Sequence, residues 1–133
     1  MWKRVFLVGL ILIFLSGCSM QTNQTEKLQD LEYTIVEEAD LPEELRTILE
    51  EKKKESFKLT YEAEDSLYLC VGYGEQATGG YSISVNELYL SENAIYFDTN
   101  LIGPDPSETV AETVSCPYLV VKTEYLDKPV VFQ

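Results

Sequence analysis

The ionisable side chains restrict the chemistry that this chain could perform. The 133 residues include no histidine, so the chain lacks the commonest general base, the usual zinc ligand and the base of Ser–His or Cys–His pairs. Carboxylate pairs such as Glu75 with Asp98 or Asp105 could catalyse hydrolysis. Among 23 Asp and Glu residues, however, a chance pair is expected, and most of these acids are solvated. We therefore predict no enzymatic activity, no catalytic residue, no cofactor and no metal centre.

The charge balance excludes one class of partner. Ten Lys and Arg residues against 23 Asp and Glu give a formal net charge of −13. Such a chain repels phosphate backbones, so we expect no nucleic acid partner, and bare anionic lipid would repel it too. The acidic segment 103–108 could hold a cation, but its spacing is not that of an EF-hand, which leaves a calcium site there open.

The N-terminus has the pattern of an export signal. Lys3 and Arg4 precede an uninterrupted apolar or glycine run over residues 5–15. A membrane-spanning helix needs about 20 apolar residues, whereas a run of roughly 7–15 behind a basic start is typical of a secretory signal. We predict a signal peptide at residues 1–17, a flexible tether at 18–30 and one globular domain at 31–133.

A cysteine lies where this signal would be cleaved. The run Leu15-Ser16-Gly17-Cys18 resembles the bacterial lipobox. The resemblance implies cleavage before Cys18 and a diacylglyceryl group on its thiol, and two acyl chains anchor a protein stably without any basic patch. It therefore implies a lipoprotein on the extracytoplasmic face of the cell membrane. The alternatives are an ordinary cleaved signal with an incidental cysteine, or an uncleaved anchor.

The other two cysteines, Cys70 and Cys116, could form a disulfide, since disulfides persist in exported domains. Each lies in or beside a segment that is apolar on both faces, so both are predicted to be buried. A bridge between them would stabilise the fold by about 4 kcal/mol in the chain-entropy model. Two separate thiols that pack as small apolar residues are the alternative.

The periodicity after the tether predicts a mainly β domain. A helix is predicted over residues 42–55, where Leu and Ile residues share one face. About seven strands follow from alternating or fully apolar runs at 31–36, 57–63, 67–71, 81–90, 94–98, 118–122 and 130–132. Segments 67–71 and 118–122 are apolar on both faces, as in central strands. We predict a compact antiparallel sandwich or partly open barrel with one N-terminal helix.

A glycine-rich segment, residues 72–80, separates two of these strands. It contains Gly72, Gly74, Gly79 and Gly80, and glycine permits a positive φ and a close approach of backbone. We expect at least one residue of the Gly79-Gly80 pair to have a positive φ. The spacing does not fit a phosphate-binding loop, since no Gly-Lys-Ser/Thr and no helix follow. The segment is either a hairpin turn without a ligand or a binding loop on a rigid sheet.

The same segment resembles a known family. The run GEQATGGYSI over residues 74–83 is similar to the Thr-Gly-Gly-Tyr signature of PrcB-type protease-complex subunits. Two later segments also resemble this family: Pro117-Tyr118 resembles the Pro-Tyr that opens an apolar strand, and Lys128-Pro129-Val130 resembles the family's C-terminal end. The resemblance covers residues 66–133. It implies a non-enzymatic module that binds a protein partner, which could be a surface protease that it stabilises or assembles. The implied partner-binding residues are Gly74, Glu75, Gln76, Ala77, Thr78, Gly79, Gly80 and Tyr81.

A second resemblance provides the alternative function. The Thr-Gly-Gly-Tyr loop is similar to the Thr-Thr-Gly-Tyr/Phe loop of chagasin-like cysteine-protease inhibitors. Those inhibitors also use an Arg-Pro-Trp loop, whereas the only Trp here is Trp2, in the predicted signal, and the only Arg after the signal is Arg46. The sequence therefore favours a protein-binding module over a surface protease inhibitor.

Overall fold

Two four-stranded sheets make up most of the structure, a computed structural model that describes residues 27–133. The strands are β1 Lys27–Asp30, β2 Thr34–Ile35, β3 Ser56–Ala63, β4 Ser66–Tyr73, β5 Ser82–Ser91, β6 Ile95–Ile102, β7 Tyr118–Glu124 and β8 Val130–Phe132. The first sheet has the order β1-β5-β6-β8 and the second has the order β2-β7-β4-β3. The prediction of a mainly β fold is confirmed. Neither sheet closes on itself, so the architecture is a sandwich. The pair β6–β8 is parallel and the other pairs are antiparallel, so the last strand departs from the prediction.

The main core fills the space between the two sheets. Leu67, Leu69 and Val71 of β4 form one apolar cluster with Ile95 and Phe97 of β6, and each of these five residues is no more than 4 % exposed. Successive side chains of a strand point to opposite faces of its sheet. The residues of β4 between these three therefore point away from the first sheet and need a second cover.

A smaller core on the outer face of the second sheet provides that cover. Helix α1, Glu43–Lys52, buries Leu45 and Leu49 completely in a cluster that contains Tyr68 and Cys70 of β4 and Val120 of β7. One face of these strands thus meets the first sheet and the other meets the helix. This explains why both sequence segments are apolar throughout, and the predicted central position of β4 and β7 is confirmed.

Helix α1 is shorter than the predicted helix over residues 42–55. It ends at Lys52, and the Glu55 N–H donates a hydrogen bond to the Lys52 carbonyl oxygen at 3.1 Å as the chain turns into β3. Before the helix, a 3-10 turn spans Glu38–Asp40, and the Arg46 guanidinium donates to the Glu38 carbonyl oxygen at 3.2 Å. The lysine-rich segment 53–55 is therefore the junction to β3, not the last turn of the helix.

The folded domain begins earlier than predicted. Lys27–Asp30, which the sequence places in the tether, is strand β1 and pairs with β5, with Lys27 opposite Ser91 and Asp30 opposite Tyr89. All four β1 side chains are exposed, so the segment has no alternating apolar pattern, and its place in the sheet depends on main-chain hydrogen bonds. Periodicity could not identify such a strand.

The predicted strand over residues 31–36 is reduced to Thr34–Ile35. The N–H of Leu31 still donates to the Leu88 carbonyl oxygen of the first sheet at 3.0 Å, whereas β2 pairs with β7 of the second sheet. The chain crosses from one sheet to the other in this segment, so only two residues remain to pair as β2.

Candidate functional site

The glycine-rich loop lies at one end of the sandwich. β4 continues to Tyr73, so the loop proper is residues 74–81, and it leads directly into β5. Directly before the loop, the Tyr73 hydroxyl and the Thr99 hydroxyl lie 2.7 Å apart and link the two sheets by a hydrogen bond. The long β6–β7 loop, residues 103–117, starts and ends at the same end of the molecule. We call residues 74–81 and 103–117 together the loop end.

Hydrogen bonds join the two parts of the loop end. The Gln76 N–H donates to the Ser115 carbonyl oxygen at 2.8 Å, and the Ser115 N–H donates back to the Gln76 carbonyl oxygen at 3.0 Å. The Ser115 hydroxyl donates to the Thr78 carbonyl oxygen at 2.7 Å, and the Gly79 N–H donates to the Ala111 carbonyl oxygen at 3.0 Å. Four hydrogen bonds thus hold the glycine-rich loop against its neighbour.

The helix-to-strand junction supports the loop from another side. The Glu75 N–H donates to the Lys54 carbonyl oxygen at 3.3 Å. Gly74 has a φ of +79°, and a Cβ on it would lie 3.2 Å from the Ser56 nitrogen. The Lys53 ammonium lies 3.1 Å from a Glu50 carboxylate oxygen, and the hydrogen bond to Glu50 raises the pKa of Lys53.

Gly80 is required at its position for two reasons. Its φ is +88°, a left-handed backbone conformation that favours glycine, so the expectation of a positive φ in the Gly-Gly pair is confirmed. A Cβ at residue 80 would also lie 2.6 Å from Val110 Cγ1 and 2.9 Å from Pro104 Cβ. A Cβ on Gly79 would meet only Ala111 at an ordinary 3.6 Å, so its packing does not demand glycine.

The eight predicted partner-binding residues divide into two groups. Gln76 and Thr78 are partly buried and hold the loop, since the Gln76 amide donates to the Tyr73 carbonyl oxygen at 3.1 Å and the Thr78 hydroxyl donates to the Gly79 carbonyl oxygen at 3.0 Å. Glu75 and Ala77 alternate with them and are exposed. These two side chains are therefore available to a partner, whereas the others shape the loop.

The rest of the loop lies against the β6–β7 loop, which the sequence prediction did not include in the site. Tyr81 is partly buried, and its ring lies over Gly103. From the opposing loop, Val114 contributes a side chain that is 59 % exposed beside the Gln76–Ser115 bridge. Residues 76–79 and 111–115 are far apart in the chain and are joined by three main-chain hydrogen bonds and one from the Ser115 hydroxyl, so no sequence pattern reveals the pairing.

Asp98 and Asp105, the two carboxylates considered as partners of Glu75, lie in different elements. Asp98 lies in β6 opposite Glu87, on the face of the first sheet that points away from the core, and its carboxylate accepts a hydrogen bond from the Asn86 amide at 3.3 Å. Asp105 lies in the β6–β7 loop, where its carboxylate accepts from both the backbone N–H and the hydroxyl of Ser107. These hydrogen bonds lower the pKa of Asp105.

The acidic segment 103–108 forms a turn closed by its own side chains. Besides the bonds from Ser107 to Asp105, the Asp105 N–H donates to a Glu108 carboxylate oxygen at 3.0 Å. The carboxylates thus satisfy backbone donors, which accounts for acidic residues in this loop. Within residues 27–133 the structure contains no cluster of three or more Cys, Asp and Glu side chains that could hold a metal ion.

Cys70 and Cys116 are both free thiols. Cys70 is fully buried beneath α1, and burial raises the pKa of its thiol to about 12. In the β4–β7 register Cys70 lies opposite Val120, four residues beyond Cys116, and this separation along an extended chain corresponds to about 13 Å. A disulfide requires Cα atoms within about 7 Å, so the alternative of two separate thiols is the one that the structure contains.

The predicted signal peptide and the acylation site Cys18 lie outside the residues that the structure describes. Over residues 27–133, no helix has the length and apolar character needed to cross a membrane.

Comparison with known proteins finds a similarity in the central segment of the chain. Residues 67–124 match the family model described as PrcB C-terminal. No curated protein and no solved structure matches the chain. The matched segment runs from β4 to the end of β7 and includes both parts of the loop end. The resemblance found in the sequence is thereby confirmed for this segment: residues 67–124 are similar to PrcB C-terminal domains.

Proposed function

We propose that this chain is a membrane-anchored, non-enzymatic accessory protein that binds a protein partner through the loop end. The partner that the family suggests is a protease complex, since the family takes its name from PrcB-type protease-complex subunits. In this proposal the domain stabilises or assembles a protease displayed on the same side of the membrane. The surface offered to the partner comprises the exposed side chains of Glu75, Ala77 and Val114.

The main support for this proposal is that hydrogen bonds hold the loop of residues 74–81 against the loop of residues 103–117. The Gln76–Ser115 pair, together with the bonds to Thr78 and Gly79, holds the exposed residues in one conformation before any partner arrives. A preordered surface loses less conformational entropy on binding than a mobile loop does. A simple hairpin connection does not need four hydrogen bonds to a second loop. These bonds therefore favour a binding surface over a hairpin turn without a ligand.

The anchor belongs to the same proposal. The basic n-region, the apolar run at 5–15 and the lipobox-like residues before Cys18 support acylation of this thiol and display on the extracytoplasmic face. Metabolic labelling with a fatty-acid analogue should tag the wild-type chain and leave a Cys18→Ala chain untagged. Equal labelling of both chains would contradict the anchor.

Recovery of partners from the native membrane tests the binding role. The acylated chain is isolated under mild detergent from its own membranes, and bound proteins are identified by mass spectrometry. We expect a protease subunit in the wild-type sample. Glu75→Arg and Ala77→Arg should each reduce its recovery about tenfold, as expected when a contact worth about 1.4 kcal/mol or more is lost.

A matched control comes from the opposite end of the sandwich. Glu124 is exposed at the end of β7 far from Tyr118, so Glu124→Arg makes the same charge change as Glu75→Arg away from the loop end. Recovery should remain at the wild-type level in this variant. If all three variants reduced recovery equally, the effect would be one of general charge, and the loop end would not be the binding surface.

A further inference from the structure

The two ends of the sandwich lie at different distances from the point where the chain enters the domain. β1 runs antiparallel to β5, so Lys27 lies opposite Ser91, at the end of β5, whereas the loop of residues 74–81 leads into Ser82, at its start. Ten residues of strand separate these points by about 30 Å. The chain therefore enters at the end opposite the loop end.

The number of residues between Cys18 and β1 limits how far the domain can rotate relative to the membrane. Cys18 and Lys27 are nine Cα–Cα steps apart, which span about 30 Å when the chain is fully extended. This limit is close to the length of β5. For the loop end to point at the lipid, the whole intervening segment would have to lie stretched along the sandwich, and this single arrangement carries a large cost in conformational entropy.

Charge opposes the remaining arrangement, in which the domain lies on its side. The chain has a formal net charge of −13, so bringing a whole side of the domain against an anionic leaflet is electrostatically unfavourable. An upright domain exposes to the lipid only the end at which the chain enters, near Lys27, which we call the entry end. Tether length and charge thus favour the same orientation.

We propose that the loop end faces away from the bilayer, an inference that rests on the lipid anchor and the binding loop of the proposed function. The partner is then a folded, water-exposed protein domain that meets the loop end about 30 Å or more above the lipid surface. A lipid-embedded segment of a partner, or the lipid surface itself, could not reach residues 74–81 in this orientation.

Energy transfer to the membrane tests the orientation. The full-length acylated chain, with Cys116→Ser to remove the partly exposed thiol, carries one donor fluorophore at either Ala77→Cys or Asn93→Cys. Asn93 is exposed in the β5–β6 turn, beside Ser91, and so marks the entry end. Each protein is reconstituted in phosphatidylcholine–phosphatidylglycerol vesicles that contain an acceptor lipid. We expect transfer to be several-fold stronger from position 93 than from position 77, and equal or stronger transfer from position 77 would overturn the proposal.

Two controls separate the possible failures. Inserting nine Gly and Ser residues after Asn23 should shrink the difference between the two positions, because a longer tether lets the loop end reach the lipid. If the difference did not change, the length of the tether would not be the cause of the orientation.

Flotation with the vesicles is measured first. A wild-type chain that floats no better than Cys18→Ala would refute the anchor, and with it this orientation. A chain that floats but shows no difference between positions would refute the orientation alone.

Discussion

Gly80 is the residue on which the shape of the loop end depends most. Its φ of +88° directs the chain into β5, and the absence of a side chain lets Pro104 and Val110 lie directly against its backbone. The Gly-Gly pair between two strands was enough to predict a positive φ. That Gly80 rather than Gly79 adopts it follows from the approach of the β6–β7 loop, a contact with no counterpart in the local sequence.

We expect Gly80→Ala to destabilise the domain. Left-handed backbone costs a non-glycine residue about 1–2 kcal/mol, and forcing a methyl group into a packed site costs about 1–3 kcal/mol more. Urea denaturation of the soluble domain should therefore show a loss of at least about 2 kcal/mol. The matched variant Gly79→Ala should stay within about 0.5 kcal/mol of the wild type. Equal losses in both variants would show that the contacts of Gly80 do not hold the loop.

Cys70 makes stability depend on alkaline pH. Its pKa is raised by burial from 9.0 to about 12, so between these values the unfolded chain has lost a proton that the folded chain retains. The folded state binds more protons in this range, and the free energy of unfolding therefore falls as the pH rises. This contribution can reach about 1.4 kcal/mol per pH unit. Denaturation of the wild type and Cys70→Ala between pH 9 and 11 should show a steeper fall for the wild type, and parallel curves would contradict the burial of this thiol.

At the scale of elements, side-chain patterns predict only the strands that bury side chains. β4 and β7 are apolar on both faces because each lies between the first sheet and α1, and both were identified from sequence as central strands. β1 buries none of its four side chains and was missed. Its place is determined by the free edge of β5, which lies more than 50 residues further along the chain.

We expect strand β1 to contribute measurably to stability. A soluble chain that begins at residue 31 should be less stable than one that begins at residue 27 by about 2 kcal/mol, because several main-chain hydrogen bonds, each worth about 0.5–1.5 kcal/mol, are lost with β1. Chemical denaturation of the two chains gives the difference. Equal stabilities would show that residues 27–30 belong to the tether, as the sequence predicts.

At the scale of the whole molecule, the sandwich separates the entry end from the loop end. The entry end receives the chain at Lys27, and the loop end gathers residues 74–81 and 103–117. The glycine-rich half of the loop end was predicted from its composition and its resemblance to the family. The other half could not be predicted, because Val114 and Ser115 reach the site through the antiparallel bridge to Gln76 and the Ser115–Thr78 hydrogen bond, neither of which a sequence pattern reveals.

The same architecture leads us to expect no hydrolytic activity. The chain has no histidine, Asp98 lies in β6 whereas Asp105 lies in the β6–β7 loop, and the Asp105 carboxylate accepts hydrogen bonds from Ser107 that lower its pKa. The purified domain should not turn over peptide or ester substrates. Turnover that survives repurification and disappears on substitution of one acid, such as Glu75→Gln, would require a catalytic role for that residue.

The central claim is that the loop end, and not the entry end, contacts a protein partner. Its most direct test is a photo-cross-linking amino acid placed at position 77 or at position 93 of the full-length chain in its own cells. Irradiation should convert a large share of the position-77 chain to one discrete heavier adduct with a second protein, while the position-93 chain stays uncross-linked to that protein. The same adduct formed equally from both positions, or from position 93 alone, would contradict the account.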